Sequence, residues 1–459
     1  MSDVNKAAED RGSFSSTVIR IVFVILLLDL LGFTLILPLL PSILDHYAQT
    51  GDVVYQSLQS VVDWFREAVG IPMEKKYNSV LFGGLIGSLF SLLQFLSSPV
   101  TGVLSDRHGR RPLLILTTMG LMASYAVWAV SQSFSMFLLF RMIGGICKGN
   151  VSLCTAIVAD LPCPKTRNRG MAMIGIAFSL GFTVGPLMGA YFAISSRTTG
   201  NVFYQTPALL ALAFSAADLL FIWLMLPETL TPDVKALSPG CGDSSDLLNP
   251  LSLFHFAAVS RTKEPPSKEM GWSFTGMQKL QVLGVVYFCY LFLFSGLEFT
   301  LSFLTHQRFQ FTSMQQGKMF FFIGVIMALI QGGYARRIKP GHHIKAVRMA
   351  IILLIPAFIL IGLSWNLTML YIGLALYSFA AAVVVPCLST LVSDHGSASQ
   401  KGTVMGILRS LGALARALGP VVSSSVYWIA GAQTCFLLTS AAFVIPLVLL
   451  GRATRLKEE

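Results

Sequence analysis

Charge is scarce in this chain. Asp, Glu, Lys and Arg make up only 12% of its residues and hydrophobic side chains 54%, whereas soluble domains carry roughly 25% charge. With a mean hydropathy of +0.69, the composition excludes an ordinary globular protein in water. The formal balance of +11 does not point to nucleic acid, because the basic residues are scattered over short loops and form no basic domain. Cysteine is sparse as well. The seven, at 147, 154, 163, 241, 289, 387 and 435, include no CxxC pair, which argues against a disulfide framework and a zinc site. A nucleotide loop, a metal-ligand cluster and a nucleophile–base constellation are also missing, so the residues suggest neither an enzyme nor a cofactor. The polar first 17 residues lead into an apolar run too long for a cleavable secretory signal.

What is present is one long apolar run after another. Spans are predicted at 18–44, 78–104, 112–131, 134–161, 169–194, 207–227, 279–305, 315–337, 345–364, 368–393, 401–428 and 433–451, near the length that a hydrocarbon core of about 30 Å demands. The expected fold is an all-α membrane protein of twelve transmembrane helices in two six-helix halves. It divides into a tail (1–17), a first half (18–227), a polar linker (228–278), a second half (279–451) and a tail (452–459). Of the 33 Lys and Arg, 23 fall in or at the edges of segments on one side and 6 on the other, namely Arg66, Lys75, Lys76, Arg197, Arg308 and Lys318. The positive-inside rule therefore puts both termini in the cytoplasm, and leaves open whether the membrane is the plasma membrane or an internal one. In the long outer loop, 45–77, Val54, Leu58, Val61, Val62, Phe65 and Val69 recur at helical spacing and predict an amphipathic helix on the outer leaflet. Residues 247–259 of the linker read as another surface helix.

The two halves repeat each other. Ala159-Asp160, Gly170 and Gly185-Pro186 recur as Ser393-Asp394, Gly402 and Gly419-Pro420, at an offset close to 234 residues. Parallel six-span halves are one known transporter architecture. Between spans 2 and 3 lies a charged, glycine-punctuated hinge, residues 102–112, with the sequence GVLSDRHGRRP. Its glycines, Gly102 and Gly109 among them, let two helices turn back within a few residues. Its lone acid, Asp106, needs a helix N-terminus or a cation as partner.

These motifs resemble the major facilitator superfamily, and within it the drug:proton antiporter branch that includes the bacterial tetracycline exporters and related vertebrate organic anion carriers. The hinge resembles the superfamily signature between spans 2 and 3. Arg141 with Gly145 and Gly149 resembles the arginine motif of span 4, and Gly181, Gly185-Pro186 and Gly189 resemble the antiporter signature of span 5, with Ala172 and Ala190 replacing two expected glycines. Leu28-Asp29 through Pro38, Pro227-Glu228-Thr229 and Asn249-Pro250-Leu251 are further features of the branch. The second-half hinge, Gly333 to Gly341, departs from the signature by lacking the aspartate. The resemblance implies alternating access, a small-molecule substrate, most simply an organic anion, and a monomer in the bilayer.

Ionisable groups inside spans cost roughly 2.5–3.5 kcal/mol each on insertion scales, so each is a functional candidate. They are Asp29, Arg141, Lys148, Asp218, Glu298, Arg409 and Arg416. By helical rise, Asp29, Lys148 and Arg409 fall near the midplane and are expected to share one chamber, with Arg141, Glu298 and Arg416 in a second layer toward the outer face. The resemblance places span 6 outside the cavity and so sets Asp218 aside. Lys148, Arg409, Arg416 and Arg141, with the polar Asn150, are the substrate-binding candidates, and Asp29 and Glu298 the proton-coupling ones. The plainer alternative is that opposite charges simply pair, Asp29 with Lys148 and Glu298 with Arg416. Asp106 is expected at the start of span 11, near Lys401-Gly402, and Arg110 against Asp160, as a gate. Gly181, Gly185, Pro186 and Gly189 are expected to serve close packing and hinge motion. A carrier of zwitterionic or cationic drugs and a non-transporting scaffold on a transporter fold remain the alternative functions.

Overall fold

The structure, a computed structural model, describes residues 2–37, 39–73, 75–199, 205–230, 249–260, 274–311, 313–395 and 400–455. Most of the linker, with Cys241, lies outside them, as do Pro38 and the last four residues of the C-terminal tail. The first half comprises α1 (Ser2–Thr34), α2 (Leu40–Thr50), α3 (Val53–Val69), α4 (Lys75–His108), α5 (Arg110–Ala129), α6 (Phe134–Cys147), α7 (Asn150–Ala159), α8 (Pro164–Thr199) and α9 (Gln205–Met225). Two short pieces follow, α10 (Pro250–Phe254) and α11 (Ala257–Ser260). The second half comprises α12 (Phe274–Phe309), α13 (Ser313–Gly333), α14 (His343–Leu363), α15 (Leu367–His395), α16 (Lys401–Ala430), α17 (Ala432–Ala442) and α18 (Val444–Arg455). Among the described residues, 12 helical stretches are long and apolar enough to cross a membrane. The end of the bundle that carries Gly109 is termed the hinge face.

Three local departures from the expected spans have physical causes. The first span stops at Thr34, not at residue 44, where the amide of Leu37 turns back to the carbonyl of Thr34 (3.1 Å). Pro41 then opens the first turn of α2, a position that tolerates its missing donor. Next, α3 is capped by Asp52, which accepts from the amides of Val54 and Tyr55, and it ends at Gly70 with φ +73°. Its apolar residues divide between two surroundings. Tyr55 stacks on Phe82 and Val62 and Val69 are buried, while Val61 and Trp64 stay exposed. Residues 249–260 form two turns parted at Phe256 (φ +50°), not one surface helix.

The third departure matters most. Span 4 is not continuous: it breaks at Lys148-Gly149, between α6 and α7. Gly144, Gly145 and Gly149 weaken the helix here, and the carbonyl freed at Lys148 accepts from the Gln94 amide (3.0 Å). Irregular backbone at membrane depth survives only with such protein partners.

Two seams join the halves. Along the first, α4 runs antiparallel to α16. The Ser88 hydroxyl donates to the carbonyl of Ala417 (3.3 Å), Ser410 donates to that of Phe95 (2.7 Å), and Gly102 packs directly on Gly402 and Gly406. Along the second, α8 meets α13. Ser179 donates to Gln331 Oε1 (2.7 Å), and Gly324 packs on Thr183. In lipid no hydrophobic drive holds helices together, so small residues and hydroxyls of this kind carry the contact. Within the first half, Gly181 and Gly185 let α8 approach Leu30 and Thr34 of α1, and Thr34 donates to the Gly181 carbonyl (3.0 Å). Pro186 and the buried Gly189 continue the same helix.

Candidate functional site

A cavity of about 210 Å³ lies between the halves, walled by α7 and α8 on one side and α12, α13, α15 and α16 on the other. Its lining is mainly apolar, with Phe178, Leu291, Met327 and Met405 prominent, and two cations, Arg409 and Arg416, reach it. The Arg409 guanidinium lies 5.8 Å from the Phe178 ring centre, with Tyr287 alongside. Arg409 Nε and Arg416 Nη2 are buried with no hydrogen-bond partner among the described residues. The anticipated Glu298–Arg416 pair is not formed. Glu298 lies on α12 within electrostatic reach of Arg416, but makes no salt bridge among the described residues. The cavity lining thus includes two guanidinium groups and no carboxylate.

Asp29 and Lys148 do not share that chamber with Arg409. Instead, Lys148 turns toward α1 at the break in span 4 and binds both Asp29 oxygens, at 2.7 and 2.8 Å. The residues just past the break, Val151, Ser152 and Thr155, face the cavity. Asn150 bridges Asp29 (3.3 Å) and Thr118 (3.4 Å) while accepting from Thr117 (2.9 Å). The Phe33 ring covers the ammonium at 4.5 Å. Arg141 is buried apart from this pair, with its guanidinium 4.7 Å from the Phe90 ring centre and its Nε unpartnered among the described residues. Asp218, set aside on the resemblance, is buried in the same half at 1% exposure, and its Oδ1 has no partner among the described residues. Tyr287 lines the cavity, whereas Tyr290 is buried in the core of the second half.

The hinge is a dense network. Gly109 takes φ +111°, a conformation costly for any residue with a Cβ, and lets α4 turn into α5. Asp106 accepts from the Gly402 amide (2.8 Å), the Thr403 amide and hydroxyl (both 2.6 Å) and Arg110 (2.6 Å). Its carboxylate thus caps the first turn of α16 in the other half, where the helix dipole favours an anion. Arg110 is fully buried and reaches Asp160 at 3.0 Å, its counter-charge at the end of α7. Burial pushes the Asp160 carboxyl up, against the pull of Arg110. Glu228 was noted in the sequence only as part of a family motif. Here it accepts from the amides of Arg110 and Arg111 (3.0 and 3.2 Å) and caps α5.

Two contacts across the halves were not anticipated. Lys401 donates to the Ala159 carbonyl (2.6 Å), and Arg167 pairs with Asp394 at 2.8 Å. The offset of 234 residues relates both members, Arg167 to Lys401 and Asp160 to Asp394, so the internal repeat could have flagged them. Together with Asp106, they tie the two halves together at the hinge face.

Comparison with known proteins bears directly on this architecture. The family model described as Major Facilitator Superfamily matches residues 22–420. Major facilitator superfamily domain-containing protein 10 of Homo sapiens is 59% identical over 435 residues, covering 94% of this chain and 92% of that protein. The class D tetracycline resistance protein of Salmonella ordonez is 26% identical over 416 residues, 89% of each chain. Among solved structures, the human organic anion transporter MFSD10 (TETRAN) superposes with a TM-score of 0.89 at 58% identity, covering 95% of this chain and 99% of that one. The E. coli fucose:proton symporter FucP superposes at 0.64 with 12% identity, covering 95% and 98%, and shares the fold. The chain belongs to the major facilitator superfamily, a family of multi-pass membrane transporters and not of enzymes.

Proposed function

We propose that the protein is a secondary transporter that moves amphipathic organic anions by alternating access and exchanges them for protons. The observation that carries this reading is the pair Arg409 and Arg416, presenting unpartnered guanidinium nitrogens to a mainly apolar cavity between the halves. Such cations are costly in a membrane unless an anion meets them. An apolar wall with Phe178 and Tyr287 suits the rest of an amphipathic ligand. A relative at 58% identity that is an organic anion transporter supports the same substrate class. In this reading the hinge face is cytoplasmic, as the Lys and Arg distribution favours, and one chain suffices, since both walls of the cavity come from it.

Asp106, Arg110 and Asp160, with Gly102 and Gly109, are the inner gate, closed in the state described here. Lys148 and Asn150 stand at the break in span 4, where a shift of α7 releases Lys148 from Asp29. Arg141 and Glu298 belong to the outer layer that the substrate meets when the opposite face is open. The test is uptake of a labelled amphipathic organic anion into proteoliposomes, with and without an imposed pH gradient. Wild-type protein is expected to accumulate the anion under the gradient, and Arg409→Ala and Arg416→Ala to lose uptake. Uptake of cationic or zwitterionic drugs that survives both substitutions would refute the assigned substrate class.

A further inference from the structure

One buried carboxyl is used by neither the hinge, nor the cavity, nor the Asp29–Lys148 pair. Asp218 lies on α9, which packs antiparallel to α1 across Gly32. A Cβ built on Gly32 would stand 3.5 Å from the Ala211 carbonyl, 3.7 Å from Phe214 and 3.8 Å from the Tyr125 ring of α5. Asp218 follows Phe214 by one helical turn, on the same face and toward the hinge. On α1, Asp29 lies about one turn from Gly32 in the same direction. The chain geometry therefore sets Asp218 opposite Asp29, within electrostatic reach of Asp29 and Lys148. The other titratable groups facing Asp218 are Tyr125, whose hydroxyl is buried and unpartnered among the described residues, and Cys154 of α7.

The charges in this pocket do not balance if both acids are ionised. Lys148 is committed to both oxygens of Asp29, and the Asn150 amide adds a neutral donor to the same carboxylate. Among the described residues, no cation forms a salt bridge with Asp218. An isolated carboxylate removed from water costs far more than a neutral acid, and such groups take up a proton instead.

We infer that Asp218 carries an exchangeable proton and that Asp218 and Asp29, two carboxyls around the single ammonium of Lys148, form the proton site of this transporter. This rests on the transport reading above and deepens its proton exchange. In the state described, Asp29 is the carboxylate paired with Lys148 and Asp218 is the neutral acid. Lys148 stands at the break in span 4, one turn before the residues that line the cavity. When α7 shifts and carries the ammonium from Asp29 to Asp218, the O–H bond of Asp218 breaks and its proton passes to water on the open side. Asp29, having lost its cation, takes one proton from water once the opposite face has opened. At both ends of the move the pocket holds one ammonium, one carboxylate and one neutral acid, so one proton is released for each one bound.

Two readouts test this on the full-length protein. In purified protein, the infrared C=O stretch of a protonated carboxylic acid is expected in the wild type, absent in Asp218→Asn and retained in Asp218→Glu. In proteoliposomes, Asp218→Asn is expected to keep anion counterflow without a pH gradient and to lose gradient-driven accumulation, which Asp218→Glu restores. Asn fills the same volume and would satisfy a purely structural role, so its failure and the recovery by Glu single out the proton. An unchanged carboxyl band in Asp218→Asn, or accumulation equal to wild type, would overturn the proposal. If wild-type protein shows no counterflow of any anion, the transport reading falls, while the infrared measurement still decides whether Asp218 is protonated.

Discussion

Replacing Asp106 with Asn should open the hinge face. The carboxylate accepts hydrogen bonds from Gly402 and from the amide and hydroxyl of Thr403 across the halves, and from Arg110 within its own half. Only the first three are broken when the halves part, so only they bias the equilibrium between states. Hydrogen bonds to a charged group contribute about 1.5–3 kcal/mol each, and an anion at a helix N-terminus adds about 0.3–1 kcal/mol. Asn keeps one acceptor oxygen and turns an NH₂ group toward the remaining donors. A net weakening of about 2–4 kcal/mol follows, which at 1.4 kcal/mol per factor of ten shifts the population about 30- to 700-fold toward the open hinge. A cysteine at Ser152, on the cavity wall, reports the opening when the exposed Cys163 and the linker Cys241 are replaced by Ser. A membrane-impermeant maleimide supplied to the hinge face should modify that reporter faster in Asp106→Asn. Equal labelling rates in correctly folded protein would refute the assignment of Asp106 as the lock.

Gly102→Leu places a side chain against the Gly402 carbonyl and Gly406; overpacking of about 1–3 kcal/mol should abolish transport and raise labelling of the same reporter. Glu228→Gln removes the charge that caps α5, and a loss of about 0.5–2 kcal/mol should appear as a lower Tm in detergent. Hydrogen bonds from Thr166 hold the exposed Cys163 thiol below its ordinary value. The thiolate therefore persists to lower pH than in a free cysteine, and the maleimide rate should fall to half below the ordinary value of about 8.5. A rate profile centred at or above that value would contradict the hydrogen-bonded thiol.

Much of the fold and part of the site were legible because the information is local. Apolar runs of membrane length and the asymmetry of Lys and Arg mark crossings directly. The hinge was legible because a lone aspartate among arginines admits few partners, and Asp106, Arg110 and Asp160 meet those expected of them. The break at Lys148-Gly149 was hidden, because an apolar run containing glycine reads the same whether the helix continues or not. Once broken, the helix turns Lys148 to Asp29, and the single chamber expected for Asp29, Lys148 and Arg409 becomes a paired core and a separate cationic cavity. Glu298 and Arg416 were matched on depth alone, which fixes neither helix face nor rotamer, and they do not pair. Asp218 was set aside on its span number, although the burial of its Oδ1 with no partner among the described residues depends on packing that no one-dimensional pattern reports.

The repeat also explains why the hinge face is locked unevenly. Its symmetry delivers one contact twice, a cation at the start of α8 or α16 reaching the end of the opposite crossing, in Arg167–Asp394 and Lys401–Ala159. The Asp106 contact is delivered only once. At the 234-residue offset that relates Arg167 to Lys401, two residues before the matched Gly170, Asn168 falls in the first turns of α8, and its side-chain Nδ2 is buried with no acceptor among the described residues. The second-half hinge, Gly333 to Gly341, offers arginines and no acid, so the carboxylate that would satisfy that amide is missing. A buried unsatisfied donor costs roughly 1–3 kcal/mol, and here it weakens the seam between α8 and the second half while the seam between α4 and α16 is held by a charge. Opening should therefore begin on the α8 side, with α4 and α16 parting last.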